Sequence, residues 1–372
     1  MEVFKEKIGK LGFGMMRLPK QDGIIDLETS KKMVDEFINH GFNYFDTAFV
    51  YDGSEEAVKK ILVDRYPRDK YFLATKLASW VNCATKEDAM AQFTTSLERT
   101  GAGYFDFYLL HNLGGNRTEI AEEYGLWDFV FQKKKEGLIK HIGFSFHSTA
   151  EELDKILTNH PEAEFVQLQI NYADWDSDSI QSRKCYETAL KHGKPVIVME
   201  PVKGGRLANP LPAITNLFKT SEPAMSPASW AVRFAADLKG VVTVLSGMSS
   251  MDQTLDNVTY MENFNGLTSN EKDIISEAQE ILRKTPLIPC TSCEYCAKVC
   301  PMDIAISATF SAANDLALYG NKENALGGIK WRVERKGLKY PQECISCGAC
   351  TEVCPQHIDI PQKLAEFVEK TK

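Results

Sequence analysis

Long apolar runs are missing from this sequence, and no stretch reaches the ~20 consecutive apolar residues that a membrane-spanning helix needs. The amino terminus, MEVFKEKIGKLGFG, interleaves charge with apolar residues and has no continuous h-region, so no secretory signal is expected. A basic stripe is also missing. Forty-three Lys and Arg against 51 Asp and Glu leave a formal charge of -8, which argues against a nucleic-acid partner. Cysteine is scarce over most of the chain, where only Cys83 and Cys185 precede residue 290. A disulfide framework belongs to small secreted chains, so a soluble cytoplasmic protein is the expectation, and both early thiols read as buried structural residues. Finally, no Gly-x-Gly-x-x-Gly follows the first apolar run, because LGFGMMRLP leads into proline instead. That disfavours a doubly wound dinucleotide-binding sheet.

What is present is an alternation. Eight short β-branched or aromatic runs occur in the first 250 residues: KIGKLGFG, FNYFDT, YFLATK, FDFYLLH, HIGFSF, FVQLQI, PVIVME and VVTVLSG. Most are nearly continuous apolar segments, the habit of strands buried on both faces of a parallel sheet. Between them lie stretches of helical period, expected near 27–40, 54–62, 86–99, 118–136, 149–159, 178–192, 227–238 and 251–260. Eight β-loop-α units over about 250 residues predict an α/β fold, a closed (β/α)8 TIM barrel. A further helix near 269–284 leads to Pro286 and Pro289, which sets the expected domains at 1–285 and 286–372.

Eight of the ten cysteines fall in the last 83 residues, as CTSCEYCAKVCP and CISCGACTEVCP. Both read Cys-x2-Cys-x2-Cys-x3-Cys-Pro, the spacing of bacterial-type two-cluster ferredoxins, in which the last thiolate of each run serves the other cluster. Soft thiolates at the corners of a cube suit an iron-sulfur core, whereas paired structural zinc sites use two Cys-x2-Cys pairs rather than runs of four. By that arrangement Cys290, Cys293, Cys296 and Cys354 hold one 4Fe-4S cluster, and Cys344, Cys347, Cys350 and Cys300 the other. The 43 residues between Cys300 and Cys344 contain helical segments such as ISATFSAANDLALYG, so a helical ferredoxin-like domain is expected.

The barrel portion resembles the aldo-keto reductase family in GFNYFDTAFVYDGSEEAV, in ATK ending at Lys76, in DFYLLH ending at His111, in HIGFS around Ser145, in VQLQINY from Val166 and in EPVKGGRL from Glu200. The resemblance implies a (β/α)8 barrel, nicotinamide-dependent carbonyl or alcohol chemistry, and a catalytic tetrad at Asp46, Tyr51, Lys76 and His111. The residues support this on their own terms. Asp46, Lys76 and His111 each end a predicted strand, on the face where barrels build their sites, and Tyr51 follows in the loop after the second. Carbonyl reduction needs a proton on oxygen, and the Lys76 cation is expected to ease its release from the Tyr51 phenol, with Asp46 holding the ammonium and His111 meeting the substrate oxygen.

Barrel phosphate sites lie after strands seven and eight, beside free backbone NH groups, which selects Gly204, Gly205, Gly247 and Ser249. The resemblance adds Ser145 and Gln167 at the nicotinamide amide, and Gln253 and Asn257 near the adenosine. The basic side chain with which many relatives grip a 2′-phosphate is missing at or near Met248 and Gln253, so NADP(H) and NAD(H) stay open as alternatives. Substrate choice is expected to depend on the loop Asn112 to Arg117 and on the segment after Gly205. The whole reads as an oxidoreductase acting on a small carbonyl or alcohol, with clusters that exchange electrons with a partner protein. A flavin would reconcile hydride with one-electron chemistry. The alternative is an electron-transfer protein whose barrel is a scaffold or docking domain.

Overall fold

The computed structural model describes residues 4, 7–81, 83–178, 180–222, 224–288, 290, 295–354 and 358–372. By compactness the chain forms two units, Met1–Ala208 with Glu222–Ile275, and Asn209–Ser221 with Ser276–Lys372.

In the first unit all eight apolar runs are strands: β1 Leu11–Gly14, β2 Tyr44–Asp46, β3 Phe72–Leu77, β4 Phe105–Leu113, β5 Ile139–Phe146, β6 Phe165–Gln169, β7 Val196–Met199 and β8 Val241–Ser246. Each pairs in parallel with its neighbours in sequence, and β8 returns to β1, so the sheet closes into a barrel. A closed parallel sheet has no edge and buries both faces. Outward side chains such as Phe45, Leu73, Tyr108, Phe144 and Val166 pack into the layer beneath the helices. Inward ones, Tyr44, Ala74, Phe107, Leu109, Phe165, Ile197 and Leu245, fill the interior with Phe4 against them. Phe107 is the hub, with ring centroids of Phe4, Tyr44 and Phe165 at 5.3, 5.1 and 5.3 Å. Gly143 makes this possible, since a Cβ there would stand 2.7 Å from the Phe165 ring.

The helices follow the expected segments, but the one expected over 178–192 begins only at Ser182, after Gln181 at a left-handed φ of 57°, a helix at Pro212–Ser221 was not expected, and two further segments differ in form. The stretch expected as one helix over 118–136 is divided into Asn116–Glu123 and Leu126–Lys135 by Gly125, whose φ of 62° is left-handed and ends the first helix. The segment near 54–62 begins as α-helix Ser54–Val58 and widens to a π-turn over Lys59–Val63. A small hairpin, Lys20–Gln21 with Ile24–Ile25, follows β1 and was not visible as apolar periodicity. Cys185 is buried in the core and burial pushes its thiol up to about 11, while Cys83 is half-buried beside Gln92.

The second unit is helical. Helices Ile306–Tyr319, Lys322–Lys336 and Ile360–Thr371 are accompanied by short helices Tyr295–Val299 and Ala349–Glu352 and a single parallel bridge between Ile304 and Lys339. No helix among the described residues is long and apolar enough to cross a membrane.

Truncating Phe107 to Ala is expected to cost about 3–5 kcal/mol, because the cavity would sit in the closed centre of the barrel. A urea midpoint unchanged from the parent, followed by circular dichroism, would contradict this account of the interior.

Candidate active site and cluster-binding region

Strand alternation decides what reaches the mouth of the barrel. In β2, Tyr44 points inward, so Asp46 two residues on does too. The same step leads from Ala74 to Lys76 in β3, from Leu109 to His111 in β4, from Gly143 to Ser145 in β5 and from Phe165 to Gln167 in β6. A polar layer therefore lies directly on an apolar one. Lys76 Nζ donates to Asp46 Oδ1 at 2.5 Å and to the Thr47 carbonyl at 2.7 Å, with both side chains almost wholly buried. Gln167 Nε2 donates to the other Asp46 oxygen at 3.4 Å. Burial works against the Lys76 charge, yet Asp46 holds its pKa above the ordinary value.

Tyr51 comes from the loop after β2, and the Lys76 ammonium lies 5.1 Å from its ring centroid. The His111 ring stands edge-on at 5.9 Å. Burial pushes the Tyr51 phenol up and Lys76 offsets only part of it, so the expected lowering is the smaller of two effects and the resting phenol is protonated. His111 is held well below its ordinary value, by burial first and then by Lys76, and its Nδ1 has no hydrogen-bond partner among the described residues. Asp46, Tyr51, Lys76 and His111 thus converge on one site.

Ser145 and Gln167 are register partners on β5 and β6. Ser145 Oγ accepts from Asn112 N at 2.7 Å, and Gln167 Oε1 is buried without a partner among the described residues. Gly204 and Gly205 take φ of 64° and 94° in the turn Lys203–Ala208 after β7. Gly247 and Ser249 follow β8, and Ser249 N donates to Gln253 Oε1 at 2.8 Å. Gln253 is exposed, and its carbonyl accepts from Asn257 Nδ2 at 2.7 Å. Met248 is buried, which accounts for an apolar residue there.

Sequence reasoning missed the residue between these two loops. The Arg17 side chain, from the turn after β1, would lie 3.6 Å from a Cβ on Gly204 and 3.3 Å from one on Gly247, and its guanidinium is 3.9 Å from Glu200. It also missed Trp80, whose ring is 5.1 Å from that of His111. The only available signal was position, since both follow a predicted strand.

In the second unit Cys300, Cys344, Cys347 and Cys350 line one cavity walled otherwise by apolar residues including Met302, Ile304, Ile306, Ile345 and Leu364. Cys300 therefore lies with the other run, as cross-ligation requires. Cys290, Cys296 and Cys354 belong to the same apolar cluster, and Cys293 lies outside the described residues. Among the described residues no three ligating side chains converge on a point suited to a single metal ion. A cubane asks for something else, one thiolate at each of several corners.

The profile of the aldo/keto reductase family matches residues 10–280, and that of the 4Fe-4S dicluster domain matches residues 289–358. The chain belongs to the aldo/keto reductase family and carries a 4Fe-4S dicluster domain after the barrel. An aldo-keto reductase of Mycolicibacterium smegmatis is 32% identical over 139 residues, 37% of this chain and 47% of that protein. Methylglyoxal reductase DkgB of Escherichia coli O157:H7 is 25% identical over 186 residues, 50% of this chain and 64% of that protein. The matches therefore span between about half and two thirds of these curated relatives. Among solved structures, an aldo-keto reductase of Bacillus halodurans in its holo form has a TM-score of 0.58 at 26% identity, covering 72% of this chain and 91% of that one. An aldo-keto reductase of Klebsiella pneumoniae in complex with NADPH has a TM-score of 0.57 at 20% identity, covering 73% and 91%, a likeness of fold.

His147, next to this site, keeps an exposed surface, yet the protein packed about its ring and then the Arg117 charge lower it to about 4. An unfolded imidazole titrates near 6.5, so as pH falls the unfolded chain takes up the proton first. The stability His147 contributes is complete above about 6.5 and is lost as pH falls toward 4, an effect that solvent around this exposed residue screens to a fraction of its face value. Urea midpoints between pH 7 and 4 should fall less steeply in His147→Gln, and equal slopes would refute the assignment.

Proposed function

We propose that this chain is an oxidoreductase whose barrel interconverts a small carbonyl compound and its alcohol with a nicotinamide nucleotide, and whose second unit holds two 4Fe-4S clusters that exchange electrons with a partner protein. The observation that carries the reading is the Lys76 ammonium, fixed by Asp46 at 2.5 Å and poised 5.1 Å from the Tyr51 ring beside a neutral His111. When bound, a nicotinamide supplies the hydride, the clusters pass single electrons, and a flavin would serve both kinds of transfer.

The residues have separable tasks. Tyr51 must carry a proton before reaction and release it during reaction. Burial favours the first, and the adjacent ammonium stabilises the phenolate that forms in the second. His111, neutral at working pH, offers one ring NH to the substrate oxygen and fixes its direction. Asp46 keeps the ammonium in place and charged. Gln167 Oε1 is a buried acceptor without a partner among the described residues, which suits a carboxamide NH2 reached from the β5–β6 register pair with Ser145. Gly204, Gly205, Gly247, Ser249 and Arg17 form a side-chain-poor cradle suited to a pyrophosphate, with Gln253 bonded to Ser249 N and Asn257 bonded to Gln253.

For the clusters, Cys290, Cys293, Cys296 and Cys354 form one ligand set and Cys344, Cys347, Cys350 and Cys300 the other. The cavity shared by the last four supports this pairing.

Tyr51→Phe should lower carbonyl turnover by at least about a hundredfold while leaving nucleotide binding in place. An anaerobic assay of a carbonyl panel with NADH and NADPH tests this, and a parent protein that turns over none of the panel sinks the reading. Iron analysis tests the second half. The parent should contain about eight iron atoms per chain, and Cys300→Ser about half as many or a cluster of altered spectrum. Zinc in place of iron, or iron content indifferent to Cys300, would reject the cross-ligated pair.

A further inference from the structure

One cation at the mouth of the barrel has no task in the chemistry above. Arg117 stands in the first turn of the helix Asn116–Glu123, where the positive end of the helix dipole disfavours another positive charge. Its position is nonetheless defined. Nε donates to the Asn112 carbonyl at 2.5 Å, and the guanidinium carbon lies 5.8 Å from the Trp80 ring centroid. The Trp80 ring in turn stands 5.1 Å from His111. The Arg117 charge is felt at both His111 and His147, where it adds to burial in lowering their pKa values. A half-buried guanidinium therefore faces the catalytic floor along an indole wall.

The neighbouring cations are already matched. Lys76 is paired with Asp46, Lys203 with Asp174, and Arg17 lies 3.9 Å from Glu200. No carboxylate among the described residues lies within ion-pair distance of Arg117. Glu152, the acid at this corner, accepts instead from Gly115 N at 2.6 Å and Thr118 Oγ1 at 3.2 Å, and so serves the helix start. Two buried polar atoms nearby, His111 Nδ1 and Asn112 Oδ1, have no partner among the described residues. With Nε occupied by Asn112, the two terminal NH2 groups remain for a planar, two-oxygen acceptor.

We propose that Arg117 binds a carboxylate carried by the substrate, so that the carbonyl compound handled by this barrel is an oxo acid whose apolar spacer lies along Trp80. The inference rests on the reading of the barrel as a carbonyl site and narrows its substrate class. A single guanidinium beside an aromatic wall suits a carboxylate better than a phosphate, which draws on several donors at once.

The test uses the full-length protein prepared without oxygen. Calorimetric titration with straight-chain carboxylates from acetate to hexanoate, and with their primary amides, should find at least one acid bound about tenfold or more tighter than its amide. Arg117→Gln should erase that preference and Arg117→Lys should keep part of it, with circular dichroism reporting the fold of each variant. No preference for any acid, or a preference that survives Arg117→Gln, overturns the proposal. So does Arg117-dependent binding of inorganic phosphate without any carboxylate binding. Turnover of an oxo acid and of its methyl ester separates the two readings. Turnover without acid preference defeats the Arg117 assignment alone. Arg117-dependent carboxylate binding in a protein that reduces no carbonyl upholds the anion site and defeats the carbonyl reading.

Discussion

The ion pair between Asp46 and Lys76 is the constraint on which the barrel site depends. Two charges taken almost wholly out of water would cost several kcal/mol each if left alone. They are tolerated because each answers the other at 2.5 Å, while the Thr47 carbonyl and the Gln167 amide take up remaining valences. Removing one partner would leave the other stranded, so the pair binds β2, β3 and β6 into one electrostatic unit. Its net charge is close to zero, but its geometry is not symmetric. The ammonium faces the Tyr51 ring, and that orientation turns a structural pair into a chemical one.

Around that unit the mouth of the barrel concentrates backbone strain. Asn112, Glu200 and Lys203 are non-glycine residues at φ of 56°, 57° and 50°. Such conformations cost energy and persist where packing and hydrogen bonds over-determine them. Here they aim the loops after β4 and β7, one carrying Arg117 and the other the Gly204–Gly205 turn. The apolar layer beneath gives those loops a fixed base. Phe107, Phe165 and Tyr44 fill the interior, so the polar residues two positions further along each strand have fixed origins.

The second unit applies the opposite economy. Its described cysteines sit in or beside short helices around a modest apolar cluster of Ile304, Ile306, Phe310, Ile358, Ile360 and Leu364. Cys300, Cys344, Cys347 and Cys350 line a cavity within it, in keeping with small domains that rely on a cofactor where apolar burial is limited.

Much of this was legible in the chain. Eight apolar runs, most of them nearly continuous and separated by helical periods, specify strands buried on both faces, and Asp46, Lys76 and His111 stand at the carboxyl ends of three of them, which is why they could be placed on the face where barrels build their sites. Two runs of four cysteines likewise declare their chemistry by spacing alone. Two features carried local signals that apolar periodicity overlooks: Gly125 breaks an otherwise helical pattern, and Asp22 and Gly23, both at positive φ, turn the hairpin after β1. The meeting of Arg17 with Gly204 and Gly247 and the Trp80 wall between His111 and Arg117 carried none, because closure of the barrel brings them together. The direction of the Tyr51 shift belongs with them. Periodicity reports which way a side chain faces, whereas burial and the sum of neighbouring charges depend on segments far apart in the chain, and only the folded barrel brings those together.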